Sequence, residues 1–173
     1  REFCVDQVSA ISDPWREASA YGLEFDYPEQ GVGKPKSYLI NSPEDIKKLE
    51  PLYIAASERM QQRVDSVAAM AGEIGETHSV LGWVEGPLAG YADLRGVETT
   101  MMDLFDKPEM YFEASEIILQ NAINFAIAQI CAGADTIGIG DAAASLIGSQ
   151  LYDTFVLSLE KRLIDAIHEE GAM

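Results

Sequence analysis

The chain is poor in cysteine, in histidine and in positive charge. Its 173 residues hold two cysteines, Cys4 and Cys131, and two histidines, His78 and His168. The cysteines form no C-x-x-C pair, and neither has a histidine at metal-ligand spacing. A disulfide scaffold is excluded, and two isolated thiols fit a reducing cytoplasm. Both read as buried structural residues. Twelve Lys and Arg stand against 29 Asp and Glu, for a net charge of −17 and an isoelectric point near 4.3. Such a surface repels phosphates, so neither nucleic acid nor an anionic membrane is expected as a partner. The acids are spread along the chain and read as a solvated face. No apolar run approaches the ~20 residues that span a bilayer. No signal peptide is visible, and there is no repeat or low-complexity tract.

What is present is an ordinary globular composition, 47% hydrophobic, in a chain long enough for one domain with a core. The organising stretch is Ala128–Gly148, AQICAGADTIGIGDAAASLIG. Ala128–Ala132 finish an amphipathic helix, and Gly133 sits where a left-handed C-cap is wanted. Thr136, Ile137 and Ile139 form a short β-branched run, with Gly138 and Gly140 allowing close approach. A strand this short and apolar, following a helix, belongs in a parallel sheet covered by helices. Asp141 stands at its C-terminal end, where ligands bind in parallel α/β folds. Asp141 is therefore the first candidate for chemistry, with Ser145 in the loop after it. The plainer alternative is an acid that caps the next helix.

Taken in order, Phe3–Ile11 reads as a strand. Ser12 or Asp13 then caps a helix Trp15–Tyr21 that has Pro14 in its first turn. Asp13 thus occupies the same kind of position as Asp141. Residues 23–40 read as extended pieces or a hairpin on the rim, and Gly31-Val32-Gly33 lacks the context of a phosphate loop. Asn41–Asp45 starts a helix that ends before Pro51, and a longer helix covers Ser57–Gly72. His78–Val84 is the next strand, with Glu85-Gly86-Pro87 at its favourable end and His78 at the other. Helices follow over Leu88–Leu94, Val97–Phe105 and Pro108–Cys131. After the strand Asp135–Gly140 and the loop Asp141–Gly148, one helix runs from Ser149 to Glu170. Parallel strands joined by helices, about three in number, predict an open α/β sheet or a piece of a (β/α)8 barrel.

The set Gly86-Pro87-Leu88, Leu94-Arg95-Gly96, Asp106-Lys107-Pro108-Glu109, Ala132-Gly133-Ala134-Asp135, Gly140-Asp141 and Ala144-Ser145-Leu146-Ile147 resembles the uroporphyrinogen decarboxylase superfamily. Ser12-Asp13-Pro14, Glu17-Ala18 and Gly22 fit its early strand and helix. The resemblance implies an incomplete (β/α)8 TIM barrel, the N-terminal-to-middle portion, as one partial domain over residues 1–173. The chain opens on Arg1 and closes at Gly171-Ala172-Met173 just after a helix, and both ends read as cut. In the decarboxylase branch, Asp13 matches the aspartate beside the pyrrole nitrogens of a tetrapyrrole. That branch carries a tyrosine where this chain has Asp93, with Tyr91 two positions earlier, and its Arg-rich substrate motif is missing. The corrinoid-dependent methyltransferase branch is similar at the Ser-Asp-Pro turn, at Gly86–Ala89 and at Gly138–Ser145. It implies transfer of a methyl group from a corrinoid to a thiol such as coenzyme M, with zinc and a corrinoid, or a corrinoid protein, as cofactors of the whole protein. Its His-x-Cys zinc ligands match no residue here, so no metal ligand is assigned. The resemblance thus implies Asp13 and Asp141 as catalytic residues and Gly86, Pro87, Tyr91 and Ser145 as binding residues. A truncated barrel acting only as a self-associating homo-oligomer is the non-enzymatic alternative.

Overall fold

A computed structural model describes residues 5–9 and 13–173. Strand β1 (Gln7–Ser9) leads to the short helix α1 (Arg16–Ala20). Of the expected strand Phe3–Ile11, Val5 and Asp6 precede β1 without joining it, and Phe3, Cys4, Ala10 and Ile11, like Ser12, lie outside the described residues. Residues 23–40 contain the two-residue strands β2 (Phe25–Asp26) and β3 (Lys34–Pro35), paired antiparallel as a hairpin. Helix α2 (Pro43–Ile46) is shorter than expected. Its start is a reciprocal capping box between Ser42 and Asp45, as the Ser-Pro-x-Asp pattern dictates. A 3-10 turn at Ile54–Ala56 leads into α3 (Glu58–Ile74), whose first turn is capped by the Ser57 hydroxyl.

Strand β4 (Ser79–Glu85), helices α4 (Pro87–Arg95), α5 (Val97–Asp106) and α6 (Pro108–Cys131), and strand β5 (Thr136–Gly140) follow. The three long-range strands form one parallel sheet in the order β1-β4-β5, with Glu85 level with Gly140. Alternation along β4 puts Val80, Gly82 and Val84 in the core and leaves Leu81, Trp83 and Glu85 on the other face, half-buried. The Trp83 ring lies over Gly138 and Gly140 on that second face. The α6 helix is fastened to β4 by the fully buried Gln129. Its amide oxygen accepts the Trp83 N–H at 2.9 Å and its amide nitrogen donates to the Trp83 carbonyl at 3.0 Å. At the end of α6, Gly133 has φ +109°. The N–H groups of Gly133 and Ala134 return to the carbonyls of Ile130 and Gln129 at 2.9 and 3.0 Å. That is the paired-bond termination that a glycine at this position allows.

Three expectations need correction. The segment after Asp141 is a 3-10 helix, Ala142–Leu146, and not an open loop. The final helix is two, α7 (Gly148–Phe155) and α8 (Leu157–Glu169), broken at Val156. The Tyr111 hydroxyl donates to the Phe155 carbonyl at 3.2 Å, and the Leu159 N–H turns to the Val156 carbonyl at 2.9 Å. A side-chain donor inserted into the ladder kinks a helix in this way. Cys131 is exposed, because it falls on the outward side of the last turn of α6, two residues past the buried Gln129. The last residue extends the sheet. Met173 donates to the Asp135 carbonyl at 3.0 Å and accepts the Ile137 N–H at 2.7 Å, the bond pattern of a parallel neighbour for β5.

Candidate functional site at the C-terminal ends of the strands

The site grows from the ends of β4 and β5 and from the start of α1. Asp141 is a cap, but not of the helix that follows it. Its oxygens accept the N–H groups of Leu88 at 3.1 Å and Ala89 at 2.8 Å, across to the first turn of α4. That helix begins Gly86-Pro87, so Gly86 has no side chain with which to cap it and Pro87 has no N–H. The two orphan donors are left for an acid on the neighbouring strand. Gly86 is buried against the Asp141 carboxyl, where a Cβ would collide with it. Gly86 and Pro87 are therefore the backbone seat of Asp141. Burial pushes the Asp141 carboxyl up to about 6, while the Leu88 and Ala89 N–H groups pull the other way.

Three further carboxyls join it, and the sequence reasoning did not assign them. Glu85 ends β4, Asp93 stands on α4 and Glu17 on α1. The Glu17 side chain accepts the Glu85 N–H at 3.1 Å and so ties α1 to the strand end. Glu17, Glu85 and Asp93 line a cavity of about 20 Å³ together with Tyr21 and Asn121. That is room for about one water. Burial raises the Glu17 carboxyl. Burial, then the Glu17 charge, pushes Glu85 up to about 7. Burial, then the charges of Glu85, Glu17 and Asp141, pushes Asp93 up to about 8. At neutral pH such a group holds part of its protons and can give or take one. Glu85 was discoverable by the argument that singled out Asp141, since both are acids at a strand's C-terminal end.

Asp13 lies at the same end of the sheet but belongs to a different cluster. Arg59 from α3 grips both its oxygens, Nε to Oδ2 at 2.7 Å and Nη2 to Oδ1. Oδ1 also accepts the Trp15 N–H at 3.1 Å, a local turn and not the helix cap expected of Asp13: α1 has Trp15 at its N-cap and no side-chain cap. Arg16 Nη2 stands 4.0 Å from Oδ2. Beside this group a cleft of about 580 Å³ runs past Tyr21, Leu52, Ser57 and Arg59, within the range of small-molecule sites.

Two expected binding residues are placed elsewhere. Tyr91 is fully buried, and its hydroxyl donates to Asp103 at 2.8 Å. Arg95 completes that network, with Nε to Asp103 Oδ2 at 2.7 Å and Nη1 to the Ile40 carbonyl at 3.0 Å. Tyr91 and Asp93 are two residues apart, about 200° around a helix, so only Asp93 turns to the carboxyl cluster. Ser145 is exposed, and its hydroxyl donates to the Ala142 carbonyl at 2.8 Å within its own turn. His78 sits at the far end of β4 beside Thr77. Among the described residues no three His, Cys, Asp or Glu side chains are grouped to hold a metal ion. The donor set present does not fit zinc.

Acids gathered at the C-terminal ends of parallel strands stand at the end of the sheet where (β/α)8 barrels carry their sites. The profile of the family described as Uroporphyrinogen decarboxylase (URO-D) matches residues 1–173, and the chain belongs to that family. It is 26% identical to a uroporphyrinogen decarboxylase of Synechococcus sp. over 96% of this chain and 48% of that protein. It is 30% identical to the methylcobamide:CoM methyltransferase MtaA of Methanosarcina barkeri over 65% of this chain and 33% of that protein. A solved methyltransferase from Methanosarcina mazei superposes with a TM-score of 0.81 at 20% identity, covering 94% of this chain and 49% of that one. The fold is thus an incomplete barrel, and the chain spans about half the length of the relatives it matches. The family is related both to decarboxylases and to methylcobamide:CoM methyltransferases.

Proposed function

We propose that the chain forms the acid-lined half of a barrel that moves a methyl group from a corrinoid to a thiol. One observation carries this reading: both oxygens of Asp13 are committed to Arg59. A decarboxylase needs that carboxylate open to accept pyrrole N–H groups, and here the Arg59 guanidinium and the Trp15 N–H take three of its about four acceptor sites. Methyl transfer to a thiol releases a proton, and Glu85, Asp93 and Asp141 are groups that can take it near neutrality. The cleft beside Asp13 is sized for a small thiol, and a corrinoid carried on a partner protein would approach across the open mouth.

The test uses the full-length protein with methylcobalamin, a thiol and zinc. The expected result is loss of the methylcobalamin spectrum with formation of a thioether. Asp93→Asn and Glu85→Gln should each lower kcat/KM by ~100-fold or more and flatten the rise of rate between pH 6 and 8. Decarboxylation of uroporphyrinogen without thioether formation would overturn the reading. The decarboxylase alternative has its own support, since the decarboxylase of Synechococcus sp. matches 96% of the chain and MtaA of M. barkeri 65%.

A further inference from the structure

Gly138 and Gly140 stand two residues apart on one face of β5, level with Trp83 and Glu85 of β4. The Trp83 indole lies across both. A Cβ on Gly138 would run into its six-membered ring, and one on Gly140 would stand 2.9 Å from Nε1. Glycine weakens a strand interior and marks close approach, so two at this spacing clear a slot for one indole at a cost to the sheet. The slot also sets the direction of the ring. It starts opposite Gly138 and ends with its N–H edge above Gly140, two residues nearer the mouth. There Nε1 donates to Glu85 Oε1 at 3.4 Å. That bond is long, as catalytic hydrogen bonds often are before substrate binds. Among the described residues it is the one hydrogen bond that the Glu85 carboxyl accepts. The root of the side chain is fixed as well, because Gln129 holds both the N–H and the carbonyl of Trp83.

We propose that Trp83, seated on Gly138 and Gly140, is a positioning residue that holds Oε1 of Glu85 and leaves Oε2 to take the proton released by the substrate. The proposal rests on the methyl-transfer reading for the source of that proton, the thiol. A hydrogen bond donated to a carboxylate favours its charged form, so the indole works against burial and against the Glu17 charge. The charged and titratable groups that face Glu85 are Glu17 on α1, Asp93 on α4, Asp141 after β5 and Arg63 on α3. The three acids favour the protonated form of Glu85, and Arg63 favours the ionised one. Trp83 is the neutral member of this set. It supports the ionised carboxylate without adding a charge that would also act on Asp93 and Asp141.

The experiment is an infrared pH titration of the full-length protein, following the carboxylic C=O band that Glu85→Gln removes. In the wild type that band is expected to fade at about 7. In Trp83→Phe it should fade ~0.5 to 1 pH unit higher. Gly140→Ala keeps the indole but lifts its N–H edge, and it should move the band the same way. The rate of thiol methylation should follow: in both variants kcat/KM rises at higher pH than in the wild type and approaches the wild-type value above pH 8. A role in packing alone would lower the rate equally at every pH. That outcome, an unshifted band in Trp83→Phe, or failure of both variants to fold would each overturn the proposal. A shifted band in a protein that methylates no thiol keeps the hold on Glu85 and overturns methyl transfer.

Discussion

A carboxyl that caps a helix from another strand does two jobs, and substitution separates them. Asp141→Ala removes the acceptor for the Leu88 and Ala89 N–H groups. It should cost ~0.5–2 kcal/mol at pH 5, measured by urea unfolding. Asp141→Asn keeps an acceptor oxygen and carries no charge to bury, so it should be close to neutral in stability. The pair Tyr91 and Asp93 separates in the same way. Tyr91→Phe takes a donor from Asp103 inside the core and should lower stability by about 1 kcal/mol while leaving kcat/KM unchanged. Asp93→Asn should do the reverse. Asp13 and Asp141 were legible as acids at strand ends. Tyr91 entered only through its place in a family pattern, and helix geometry turns it away from the mouth. Glu17 entered only with the family pattern. Its place in the site comes from α1 meeting the end of β4, which no spacing in the sequence records.

At the level of elements, α6 and β4 are held by one side chain. Gln129→Leu would leave the Trp83 N–H and carbonyl buried and unpaired. The expected loss is ~2–4 kcal/mol by urea unfolding, far above that of a surface glutamine. Tyr111→Phe should free the Phe155 carbonyl and fuse α7 with α8, seen as slower amide exchange at Leu159. The order of strands and long helices followed from periodicity and from the Ser-Pro and Lys-Pro starts. The break at Val156 did not, because it depends on a tyrosine more than 40 residues away. The stop of α2 at Ile46 was equally hidden, since the periodicity offered nothing to end it before Pro51.

For the whole molecule the raised carboxyls set a pH dependence. Each of Glu85, Asp93 and Asp141 holds its proton more tightly folded than unfolded, so folding takes up protons. Their contribution is complete below the ordinary carboxylate range and is lost as the pH climbs through about 6, 7 and 8. The melting temperature should therefore fall from pH 5 to pH 8, and Asp93→Asn should flatten that fall. The net charge of −17 acts in the same direction, but added salt weakens only that part. Parallel α/β architecture was readable from composition and from strand–helix alternation. Closure toward a barrel was read through resemblance, since three strands alone do not fix it. No described helix is long and apolar enough to cross a membrane. The long reach of Asp141 has a consequence for how the chain is made. Helix α4 leaves the ribosome more than 50 residues before the acid that seals its first turn. During synthesis that end stays frayed until β5 docks, so a nascent chain stopped short of residue 141 should be cut by protease just after Pro87, and one extended beyond β5 should not.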